Sequence, residues 1–137
     1  MKNLFALLGG VTLVATSVQA GAAAPVEVTY DDAVKCAALD TTLAIVLSPE
    51  QGQASPEDQR AIDYFSATAD KWLAQASAAN PGGEEATMAD ILERSTNLII
   101  GLSDDSNTAA KAKFDADFEV CTALEEAAYG GPNGIVD

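Results

Sequence analysis

Four breaks rich in proline, glycine and short polar residues set the outline of this chain: Ser48-Pro49, Asn80-Pro81-Gly82-Gly83, Ser103-Asp104-Asp105-Ser106-Asn107 and Gly130-Gly131-Pro132. Proline disfavours helical geometry in its predecessor, glycine closes helices, and Ser, Asp and Asn side chains compete for backbone hydrogen bonds. Between the breaks, apolar residues return every three or four positions, the period of a helix face. The first segment carries Cys36, Leu39, Leu43 and Val46/Leu47, and the second Ile62, Phe65, Ala69, Trp72 and Ala76. The third carries Met88, Ile91/Leu92, Ser95, Leu98/Ile99 and Leu102, and the fourth Phe114, Phe118, Cys121, Leu124 and Ala128. Strand-like alternation is confined to Val26–Tyr30, too little to found a sheet.

Start signals agree with the breaks. Thr29-Tyr30-Asp31-Asp32 places a capping hydroxyl three residues before an acid, with two carboxylates at the positive end of the helix dipole. Ser55-Pro56-Glu57-Asp58 offers a cap, a proline at the first helical position and acids next. The third helix begins near Glu84 or Glu85, and Ser106 or Asn107 caps the fourth. Four amphipathic helices on short connections predict an all-α domain over residues 29–130, a four-helix antiparallel bundle running up-down-up-down. Alanine, at 27 residues, suits closely spaced helices. Residues 131–137 read as a disordered tail.

Ahead of the bundle, residues 1–20 read as a secretory signal peptide. Lys2 supplies the positive start, Leu4 to Val14 the apolar run, and Val18-Gln19-Ala20 the small-residue cleavage site. The run is short of the about 20 apolar residues a membrane span needs. Residues 21–28 form a flexible leader behind the cut. The expected address is the periplasm or the cell exterior, reached by bacterial-type export, with no stable membrane insertion after cleavage. Export gives the two cysteines, Cys36 and Cys121, their meaning, because disulfides persist in oxidising compartments. In an up-down-up-down bundle they lie roughly 9 and 14 Å from the same end, at about 1.5 Å per helical residue. A structural disulfide joining the first and last helices is therefore expected; a redox pair would sit closer in sequence.

Charge and missing residue types narrow the function. With 7 basic residues against 21 acidic, the net charge is −14, and removal of Lys2 takes it to −15. Such a surface does not bind nucleic acid, which requires a Lys/Arg patch. The chain has no histidine, which removes Ser-His-Asp and Cys-His catalysis, imidazole ligation and the Glu-x-x-His di-iron pattern. Asp31-Asp32 and Glu84-Glu85 fall at helix starts, where acids serve the dipole. Asp104-Asp105 offers weak Ca²⁺ association at most, lacking the glycine and closing glutamate of a calcium loop. Asp115, Asp117 and Glu119 alternate and therefore scatter around a helix. Among so many acids, carboxylate pairs arise by chance, and none stands in an apolar context.

No catalytic residue, cofactor ligand or metal ligand is assigned, and no cofactor is expected. Trp72, Phe65, Phe114 and Phe118 read as core rather than as a ligand cavity. Tyr64 and Tyr129 belong to the flanks, Ser95 bonds back to its own helix, and Met88 alone is no haem ligand. The chain reads as a small exported, non-enzymatic interaction module, accessory or stress-protective, with an unknown protein partner whose expected character is basic because the negative charge attracts cations. In a stress-chaperone version, acid near pH 4 loosens the bundle. The alternative is a small-ligand or cation carrier, or an enzyme, with a pocket between the helices.

Overall fold

The computed structural model describes residues 26–131. The signal-peptide reading of residues 1–20, most of the leader and nearly all of the tail lie outside the described residues. Four helices follow: α1, Tyr30–Leu47; α2, Pro56–Ala79; α3, Gly83–Ser103; and α4, Thr108–Tyr129. No strand occurs among the described residues.

The helix ends show why the chain divides where it does. The Thr29 hydroxyl accepts from the Asp32 N–H at 3.1 Å, while the Asp32 carboxylate accepts from the Thr29 N–H, a reciprocal cap. The Ser55 hydroxyl takes the Asp58 N–H at 3.1 Å, with Pro56 as the first helical residue. The Asn107 amide oxygen takes the Ala110 N–H at 3.0 Å. Gly130 closes α4 at φ 79°, a conformation that costs other residues strain, and returns its N–H to the Glu126 carbonyl. α3 departs from this scheme: no side chain caps it, and it begins at Gly83, one residue before the acids expected to open it.

Pairings along the helices give their directions. Asn80 at the end of α2 donates to the Tyr30 hydroxyl at the start of α1, so these two run antiparallel. Tyr30 donates to Asp90 and Thr42 meets Ser95, so α1 and α3 run alike. Tyr64 reaches Glu125, and Tyr129 reaches Gln75, so α2 and α4 run alike. Cys36 and Cys121 form a disulfide between α1 and α4, with Cα atoms 5.4 Å apart.

The packing is less symmetric than a square bundle. α1 sits in the middle and packs against all three other helices, while α2 and α4 meet chiefly through long side chains. Cys36, Ala37, Ala38, Leu39 and Asp40 are all buried. Five consecutive buried residues span more than one helical turn, so α1 is covered on every side there. Ala33, Ala37 and Ala38 let the neighbouring backbones approach. Trp72 from α2, fully buried, fills the space opposite, together with Val34, Ala76 and Ile91.

This placement corrects several expectations. Met88, Val46 and Phe118 were expected in the core and are exposed, as is Ala128. With α1 at the centre, each outer helix turns only a narrow strip inward, and apolar residues flanking that strip stay wet; Val46 lies in the last turn of α1, past its last buried residue, Thr42. Phe118 instead stacks along Phe114 at 6.4 Å between ring centres, and Phe65 is half-buried, so Trp72 alone of the four aromatics is fully core. Ser95 does not bond within its own helix. Its hydroxyl meets that of Thr42 at 2.9 Å across the α1–α3 contact, and Thr42 in turn donates to the Ala38 carbonyl.

Candidate functional site

Two features carry chemistry. The first is a sealed acidic cluster. Asp40 on α1 and Glu125 on α4 are 3% and 5% exposed. Tyr64 on α2 donates its hydroxyl to Glu125, and Thr68 donates to the Tyr64 carbonyl one turn away. Burial, reinforced by the Glu125 charge, pushes the Asp40 carboxyl up to about 8. Burial also raises Glu125, against the lowering effects of the Tyr64 hydrogen bond and the Lys71 charge. Tyr64 is raised in turn, first by burial and then by its bond to Glu125. Near neutral pH, then, Asp40 is protonated in the folded chain. One of its oxygens, Oδ2, has no hydrogen-bond partner among the described residues, as does the Trp72 indole nitrogen. An unpaired carboxylate there would be far costlier than a neutral acid.

The expectation that no carboxyl pair stands in an apolar context is therefore overturned. A signal was present. Asp40 follows Cys36 by four residues and Glu125 follows Cys121 by four, so each acid shares its cysteine's helix face. Asp32 and Asp117, four residues before the same cysteines, share that relation and are only half-buried, so the spacing marks candidates and the packing decides.

The second feature is an open groove of about 490 Å³ between α1, α3 and α4. Ala38, Leu98, Gly101, Leu102 and Ala110 supply its apolar lining. Gly101 lets α4 come close, since a Cβ at that position would lie 3.3 Å from the Ala110 Cβ. Lys35, Arg94, Lys113, Asp31, Asp117 and Asn97 supply the polar lining. Arg94 pairs with Asp31, Lys113 with Asp117, and Lys35 with Asp32 just outside the groove. Neither Asp40 nor Glu125 lines it, so the groove and the acidic cluster are separate features.

The other acids singled out in the sequence have local tasks. Asp32 caps α1, and its hydrogen bond from Thr29 holds its carboxyl below the usual range. Asp104 accepts from the N–H and hydroxyl of Ser106, which lower its pKa, and Asp105 accepts from Lys111. Glu84 and Glu85 are exposed in the first turn of α3. Asp115 and Glu119 face solvent while Asp117 turns to the groove. Among the described residues, no group of three or more His, Cys, Asp or Glu side chains is placed to hold a metal ion, and no helix is long and apolar enough to cross a membrane. Compared with protein-family models, curated proteins and solved structures, the chain matches none.

Proposed function

We propose that this protein is an exported, non-enzymatic helical module, accessory or stress-protective, that acts by binding and stays folded as its surroundings turn acid. The observation that carries this reading is the buried Asp40–Glu125 pair beside Tyr64. A folded state that holds protons its unfolded state gives up is favoured by acid. The groups acting on the pair are Tyr64 and Lys71 from α2, with Tyr129 alongside Glu125 on α4. Relief of the repulsion within a chain of net charge −14 works in the same direction down to the pI near 4.1. Both effects favour the folded chain as pH falls from 8 to 5, above the range near pH 4 in which the sequence leads one to expect loosening. The cross-link between α1 and α4 adds support, since it suits an oxidising compartment outside the cytosol.

Thermal melting of the oxidised protein at pH 5 and pH 8 tests this. The reading requires the higher melting temperature at pH 5, with near-UV signal retained there. A lower one at pH 5 overturns it. The alternative, a small-ligand carrier, is favoured by one observation, the groove between α1, α3 and α4.

A further inference from the structure

We infer that the groove between α1, α3 and α4 binds an amphipathic organic monoanion, a carboxylate head on an unbranched aliphatic body. The inference rests on the alternative reading, a small-ligand carrier, and it makes that groove the site.

Charge distribution is the first argument. Lys35, Arg94 and Lys113 are three of the seven basic residues in the entire chain, and all three line this groove. Elsewhere the acidic excess repels an anion. Here three cations face two lining carboxylates, with Asp32 balancing Lys35 from outside. The groove is thus locally balanced in charge, with three cations against three carboxylates, on a chain of net charge −14.

Shape is the second. The lining includes five residues without polar side chains, Ala38, Leu98, Gly101, Leu102 and Ala110, and about 490 Å³ lies within the range of small-molecule sites. A purely polar anion would leave these residues wet; an aliphatic body covers them.

The third argument lies in the head-group geometry. Arg94 already holds a carboxylate, that of Asp31, and a guanidinium fork suits a carboxylate's two oxygens. Both partners are substantially exposed, with side chains 42% and 69% accessible. Exposed ion pairs contribute little to stability, so a ligand carboxylate can take Asp31's place and release it to water at small cost. Lys113, the more exposed partner of its pair with Asp117, can swing to the same head. Asp31 is then a built-in competitor for the ligand head.

Calorimetric titration of the oxidised protein with decanoate at pH 7 tests the inference, with decanol, decyltrimethylammonium and succinate as comparisons. Decanoate is expected to bind, and each comparison at least tenfold more weakly, since each lacks either the anionic head or the aliphatic body. The double variant Arg94→Gln/Lys113→Gln loses at least tenfold in affinity. Arg60→Gln, which changes net charge at an exposed site on α2, leaves it within twofold. Asp31→Asn, by removing the competitor, raises affinity about threefold. Asn97→Trp fills the groove from its exposed rim and abolishes binding without touching any charge, which covers the case of a double variant that does not fold. Decanol binding as tightly as decanoate, an unchanged affinity in the double variant, or no decanoate binding overturns the proposal. None of these results bears on melting in acid, so this site and the acid-persistent module fail separately.

Discussion

Replacing Asp40 by asparagine keeps the size of the side chain and removes its titration, which makes it the sharpest probe of the buried acids. In the folded chain Asp40 titrates near 8, and its ordinary value is 3.8. Between those values the folded protein keeps a proton that the unfolded chain has released, so stability falls as pH rises, by about 1.4 kcal/mol per unit. The contribution is complete below the unfolded value and gone above the folded one. From pH 5 to pH 7 the wild type therefore loses about 2–3 kcal/mol, a large share of the roughly 5–15 kcal/mol typical of a domain. Glu125, also raised, acts in the same direction. Asp32 and Asp104 are lowered and act oppositely, but only at more acid pH, where unfolded carboxylates take up protons. In the chosen window both are ionised in either state. With a urea slope of about 1–1.5 kcal/mol per molar for a domain of this size, the midpoint drops by about 2 M on going to pH 7. Trp72, the only tryptophan and fully buried, reports the transition by fluorescence. In Asp40→Asn most of that pH dependence disappears. A wild type whose midpoint is flat or rises from pH 5 to pH 7, or a variant with the wild-type slope, refutes the reasoning.

Three further outcomes are expected. Reduction of the Cys36–Cys121 bond, or Cys36→Ser with Cys121→Ser, lowers stability by up to about 4–5 kcal/mol, because the bond closes a loop spanning 85 positions in the unfolded chain; urea denaturation with and without reductant measures it. Trp72→Ala leaves a hole against α1 and costs about 3–5 kcal/mol, read as a fall in melting temperature followed by far-UV circular dichroism. Thr42→Val strands the Ser95 hydroxyl and costs about 1–3 kcal/mol, whereas Thr42→Val with Ser95→Ala recovers most of it in the same melts.

Helix existence was legible because each boundary rests on local chemistry: Thr29, Ser55 and Asn107 cap the helices the sequence assigns to them, and Gly130 closes the last. The disulfide was legible because two cysteines allow only one pairing and both lie on inward faces. What the sequence hid is which helix holds the centre. The run of small residues around Ala37 and Ala38 favours that place, but periodicity alone treats α1 like its neighbours, and so it puts Met88 and Phe118 in the core, while Val46 escapes burial because it lies in the last turn of α1. The acidic cluster was missed because carboxylates are abundant here: Asp32 and Asp117 stand four residues before the cysteines just as Asp40 and Glu125 stand four after, and only the packing buries the second pair. The groove was invisible for another reason. Lys35, Arg94 and Lys113 are far apart in the chain and share a site only through the packing of three helices.

Compartment is the premise on which the proposed function stands, and the intact mass of the native protein, taken without reductant from fractionated cells, tests it most directly. The account predicts a chain beginning at Gly21, recovered outside the inner membrane, two hydrogens lighter than its reduced form. A polypeptide retaining Met1–Ala20 in the cytosol, with Cys36 and Cys121 both as thiols, would contradict it.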